Sequence, residues 1–98
     1  MRDAFLFSAE LWQWEGKSAW HFVSVPPDES EEIREQPRMP RGFGSVRVSV
    51  RIGSSTWKTS IFPDSQRGSY LLPVKKSVRE SEGISTGDVV QVELKPLE

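Results

Sequence analysis

Val46-Arg47-Val48-Ser49-Val50-Arg51-Ile52-Gly53-Ser54-Ser55-Thr56-Trp57 is the stretch that decides the fold class. Successive side chains on a strand point to opposite faces, so residues two apart share one face. Val46, Val48, Val50 and Ile52 therefore make an unbroken β-branched surface, while Arg47, Ser49 and Arg51 make a polar one. Branching at Cβ suits a pleated, half-buried strand. Gly53-Ser54-Ser55 predicts a turn, and Trp57 to Phe62 predicts the returning strand. If the two pair, Arg47, Arg51 and Lys58 share one outer face.

The same period recurs on both sides. Toward the N-terminus, Phe5, Phe7, Ala9 and Leu11 alternate with Leu6, Ser8, Glu10 and Trp12. Glu15 to Ser18 reads as a turn and Ala19 to Val25 as the strand that returns from it. Pro26-Pro27 ends that strand, because neither residue has an N–H for a ladder. Toward the C-terminus, Pro63 to Gly68 is a polar loop, and Tyr70, Leu72 and Val74 resume the alternation. Val90, Val92 and Leu94 close the series after a Gly87-Asp88 turn, with fraying expected from about Lys95.

Two short helices interrupt the strands. The first is predicted over 28–36, with Asp28 and Glu31 at capping-box spacing and Ile33 as its apolar anchor. Pro37, Pro40 and Gly42 make the following connection irregular. The second is predicted over 75–82, with Pro73 near its start and Gly83 as its stop. About six short strands with frequent turns and isolated helices predict an all-β fold: a small barrel that leaves no long apolar edge unpaired.

Composition limits the rest. A chain of 98 residues fits one domain, residues 1–98. Four Trp and five Phe can carry much of the burial. With no Cys, thiolate catalysis, disulfides and thiolate metal sites are excluded, and a reducing cytoplasm is the expected setting. The net charge of −1 gives no bulk attraction to polyanions. Neither a signal peptide nor a membrane span is expected.

Each chemical candidate has a plainer reading beside it. His21, the one histidine, has no nucleophile at a recognisable spacing and reads as structural. Asp28, Glu29, Glu31, Glu32 and Glu35 read as a solvated helix face, since no calcium-loop spacing accompanies them. Arg41-Gly42-Phe43-Gly44 lets the backbone approach an anion beside a guanidinium, but reads first as a plain turn into the Val46 strand. Arg47, Arg51 and Lys58 interleave with aromatics, as single-strand nucleic-acid surfaces do, but read first as an ordinary charged strand face with the aromatics pointing inward. Lys75, Lys76 and Arg79 cluster on the second helix, where they could hold an anion or a nucleic-acid backbone, but read first as an exposed helix surface. Trp12 and Trp14 share a partly polar strand face, as a partner surface or as a cap on the barrel end.

Several strings stand in order along the chain. They are Ala19-Trp20-His21-Phe22-Val23-Ser24-Val25-Pro26, Arg41-Gly42-Phe43-Gly44-Ser45-Val46-Arg47-Val48, Thr56-Trp57-Lys58-Thr59-Ser60-Ile61-Phe62-Pro63, the stretch from Tyr70 to Arg79, and Gly83-Ile84-Ser85-Thr86-Gly87-Asp88-Val89-Val90. Together they resemble the bacterial domain-of-unknown-function family number nineteen hundred and five, from about Phe5 to Leu94. The resemblance implies a small, partly open β-barrel with Greek-key connections, and no assigned activity. A second resemblance covers Leu72 to Arg79, Gly83-Ile84 and Gly87 to Val90. These are similar to the strand–helix–turn–strand unit of swapped-hairpin transition-state regulators, which bind DNA as dimers.

The resulting expectation is a non-enzymatic binding module for a small anion, a peptide or a protein, with Arg41, Gly42, Gly44, Trp57 and Phe62 as its site. The alternative is a nucleic-acid-binding domain using Arg47, Arg51, Lys75, Lys76 and Arg79. No catalytic residue, metal or cofactor is expected, and the chain is read as a monomer or homodimer.

Overall fold

The computed structural model describes residues 3–16, 19–36 and 44–97. Six strands form a closed antiparallel barrel: β1 (Phe5–Gln13), β2 (His21–Ser24), β3 (Val46–Ile52), β4 (Ser55–Asp64), β5 (Ser69–Pro73) and β6 (Val89–Pro96). Around the ring the order is β1-β2-β5-β4-β3-β6. The run β3–β4–β5 is a meander. β6 lies beside β3, and β2 lies beside β5, so two Greek keys share the meander. The long β2–β3 connection carries helix α1 (Pro27–Glu35), and the β5–β6 connection carries α2 (Lys76–Glu82). The all-β Greek-key barrel is the one the alternation and the first resemblance imply, and its ring is closed where that resemblance implies a partly open one.

Period two places the core where expected. Val46, Val48, Val50 and Ile52 are buried against Phe5, Leu11, Val23, Ile61, Leu72, Val92 and Leu94. Each such side chain taken from water contributes roughly 1.5–3 kcal/mol. The β3–β4 register pairs Val46 with Ile61, Val50 with Trp57 and Arg47 with Ser60. Arg47, Arg51 and Lys58 therefore do share the outer face. Gly53 takes φ +59 at the hairpin corner, and a Cβ there would collide with the Glu82 carboxylate. That carboxylate instead accepts hydrogen bonds from Ser55 Oγ at 2.5 Å and Ser54 Oγ at 3.3 Å, tying α2 to the hairpin.

Three local expectations need correction. The Asp28–Glu31 capping box does not form: Pro26 is the N-cap and no side chain caps the helix. Pro27, whose φ is already helical, starts α1 one residue earlier and carries Asp28 into the first turn. Ser30 joins Ile33 as a buried residue of α1, as its Oγ donates to the Val25 carbonyl and accepts from the Tyr70 N–H, both at 3.0 Å. The chain does not fray at Lys95: Ser49 pairs with Lys95, Val48 pairs with Pro96, and Leu97 N–H donates to the Arg47 carbonyl at 2.7 Å.

The ring has one place where two neighbouring strands part. β4 and β5 are paired only from Phe62 to Asp64 against Ser69 to Leu71. Before Phe62, β4 runs on to Ser55 without β5 beside it, and α2 packs against that part of the barrel. The candidate site lies in this gap.

Candidate functional site: a basic cleft at the β4–β5 split

The parting of β4 from β5 opens a cleft of about 560 Å³, a size that suits a small organic ligand. β3 and β4 bring Arg47, Trp57, Lys58, Thr59, Ser60 and Phe62 to it. The approach to β2 brings Ala19, Trp20 and His21, and the β5–α2 junction brings Pro73, Val74, Lys75 and Arg79. Four of these side chains are cationic, and none of the described lining residues is acidic. The ion pairs among the described residues involve none of the four cations.

Local geometry explains each placement. Arg47 sits opposite Ser60 on the outer face of the β3–β4 ladder. Lys75 is the extended N-cap residue of α2. Arg79 is one helical turn further on, and its Nε–H donates to the Val74 carbonyl at 3.2 Å. Trp57 is only 9% exposed, so its ring is mainly core and only part of it forms the cleft wall. Phe62 is 41% exposed and Trp20 is 50% exposed. His21 Nδ1 lies 3.0 Å from the Ala19 carbonyl oxygen. Among the described residues, no hydrogen bond joins His21 to Thr59 or Ser60, and no cluster of residues fit for a metal ion is present.

The two sets of candidates from the sequence meet here in part. Trp57 and Phe62 come from one set, and Arg47, Lys75 and Arg79 from the other. Arg51 is on the same sheet face but outside the cleft. Its Nε–H donates to Glu93 Oε1 at 2.8 Å and Nη2 is 2.6 Å from the same oxygen. That bond is the main cause holding the Glu93 carboxyl below its ordinary range. Lys76 points elsewhere, with Nζ 3.9 Å from Glu80. Gly44 has φ +71 and is not among the described lining residues. Arg41 and Gly42 lie outside the described residues.

The sequence pattern gives Trp20 no site role of its own and His21 a structural one. Their proximity to β4 is set by β2 pairing with β5, a contact across 47 residues or more that no local signal carries.

Beside the cleft is a second hollow of about 490 Å³ on the outer sheet face, which shares Trp20 and Phe62 with it. Trp12, Trp14, Phe22 and Leu71 form its floor and walls. Trp12 opposes Phe22 in the β1–β2 register, with ring centroids 5.2 Å apart, and Trp20 stacks on Phe22 at 5.9 Å. Arg67 lies over Trp12 at 4.6 Å and pairs with Asp64 at 2.6 Å. The Arg67 hydrogen bond is the chief reason the Asp64 carboxyl sits below its ordinary range.

No curated protein matches this chain. No helix among the described residues is long and apolar enough to cross a membrane. Residues 7–94 match the family described as Domain of unknown function (DUF1905), which covers nearly every strand and both helices. The chain belongs to that family.

Proposed function

We propose that the protein is a non-enzymatic binding module whose β4–β5 cleft takes an anionic ligand bearing a flat apolar part. The observation that carries this reading is the convergence of Arg47, Lys58, Lys75 and Arg79 on one cleft without a described carboxylate among them. Like charges gathered in a concave site repel one another and focus a positive potential there, whatever the net charge of the chain. A bound phosphate or carboxylate relieves that repulsion. Arg79 is the best-placed anchor, because the Val74 carbonyl already orients its planar fork. Phe62 and Trp20 offer exposed ring surface to an apolar part of the ligand. We place the protein in the cytoplasm, in keeping with its lack of cysteine.

Calorimetric titration of the full chain with pyrophosphate and with a nucleoside monophosphate tests the reading, repeated on Arg79→Ala and Lys75→Gln. Both ligands bind the wild type, and each substitution weakens them. Equal heats for wild type and both variants would remove the cleft from the mechanism.

A further inference from the structure

The outer face of a small barrel ordinarily meets water and carries polar side chains. Here the face spanning β1, β2, β5 and β4 carries aromatic rings instead. Trp14 is 51% exposed, Trp20 50% and Phe62 41%. Trp12, Phe22 and Trp20 form a row with centroid steps of 5.2 and 5.9 Å. The row is continuous with the basic cleft, because Trp20 and Phe62 border both hollows.

We infer that this composite surface binds single-stranded nucleic acid, with phosphates in the basic cleft and successive bases on the aromatic row. The inference rests on the anion-binding reading of the cleft and names its ligand class. Three features favour this ligand. A cationic groove beside exposed rings is the pairing that single strands use, since every base offers a π face and every linkage a phosphate. A duplex keeps its base faces stacked inside and offers nothing to exposed rings. An acidic peptide would satisfy Arg47, Lys58, Lys75 and Arg79 but leave the rings without partners. Arg67, paired with Asp64, lies over Trp12 at the far side of the row and closes it there.

The test measures binding of the full chain to a labelled ten-residue thymidine oligonucleotide by fluorescence anisotropy at low salt. An abasic strand of the same length, a blocked duplex and oligoglutamate serve as comparators, and pyrophosphate is titrated separately. The thymidine strand binds about 10-fold or more tighter than the abasic strand, the contribution expected of one or two stacked bases. Its log affinity falls with log salt at a slope no steeper than about −3, from roughly 0.7 per phosphate and four cleft cations. Trp14→Ala, which touches the aromatic hollow and not the cleft, weakens the thymidine strand severalfold and leaves pyrophosphate unchanged. Circular dichroism checks that the variant folds. Equal affinity for thymidine and abasic strands overturns the inference while leaving anion binding in place. So does oligoglutamate or duplex binding as tightly as the thymidine strand. Failure of both the strand and pyrophosphate to bind overturns both readings.

Discussion

Arg79 is held at the edge of the cleft by the Val74 carbonyl, with 3.2 Å between Nε and the oxygen. That bond uses the one guanidinium nitrogen nearest the chain. The two terminal nitrogens donate to no described residue and are left to meet a ligand. A side chain fixed in this way loses little rotamer freedom on binding, so more of the contact appears as affinity. Arg79→Ala is expected to weaken pyrophosphate by about 10- to 100-fold, the range of a charge-assisted hydrogen bond at about 1.5–3 kcal/mol. Arg79→Lys keeps the charge but not the fork, and falls between the two in the same titration.

The cluster of cations should tax the empty protein. Removing one charge from Arg47, Lys58, Lys75 and Arg79 relieves repulsion without opening a cavity, because Lys58 and Lys75 are exposed. Lys58→Gln and Lys75→Gln are expected to melt at the wild-type temperature or slightly above it in low salt, while binding pyrophosphate less well. A merely structural role for these lysines would show the reverse, a lower melting temperature.

Ser30 is the polar pin between α1 and the barrel. Its hydroxyl completes the Val25 carbonyl and the Tyr70 N–H, both buried, where β2 ends against β5. Ser30→Ala leaves the Tyr70 N–H without that acceptor and should cost about 1–3 kcal/mol. For a domain of this size each kcal/mol lowers the melting temperature by roughly 4–8 °C. Urea denaturation with an unchanged m-value checks that the loss is in stability and not in cooperativity.

Acid should weaken the fold through identifiable carboxylates. Hydrogen bonds from Arg67, Ser55 and Arg51 are the leading reasons that Asp64, Glu82 and Glu93 titrate below their ordinary values. A depressed native pKa means that the unfolded chain binds more protons in the acid range, so stability rises with pH there. The contribution is complete above the unfolded carboxylate range near pH 4–5 and is lost as pH falls through the lower native values. Glu82→Gln should flatten part of this slope in urea midpoints measured between pH 6 and pH 3. An unchanged slope would show that the Ser55 bond is not coupled to folding.

The strands were legible because each solves the same local problem. β3 alternates apolar and polar residues and turns at Gly53, and the register that follows puts Arg47, Arg51 and Lys58 outside, as the pairing requires. The α2 stop at Gly83 was equally local, since φ +64 there suits glycine. What failed was non-local or competitive. Pro27 pre-empted the helix start that Asp28 would have made. β6 runs to Pro96 because β3 is there to pair with it, which nothing near Lys95 announces. The candidate site divides in the same way. Trp57 and Phe62 stood apart from Lys75 and Arg79 in the sequence reading, and only the β4–β5 split shows that one cleft contains all four. Arg51 and Lys76 looked equivalent to their neighbours, but Arg51 is occupied by Glu93 and Lys76 faces Glu80.

An anion site at the β4–β5 split must show itself when an anion is added to the intact protein. The decisive measurement is two-dimensional amide NMR of the full chain titrated with pyrophosphate. Saturable shifts are expected, confined to the backbone around Arg47, Lys58 to Ser60, and Lys75 to Arg79, with His21 moving alongside, and in Arg79→Ala they saturate only at about 10- to 100-fold higher pyrophosphate. Absence of saturable shifts, or shifts centred on Arg51 and Lys95 at the opposite end of the β3 face, would contradict it.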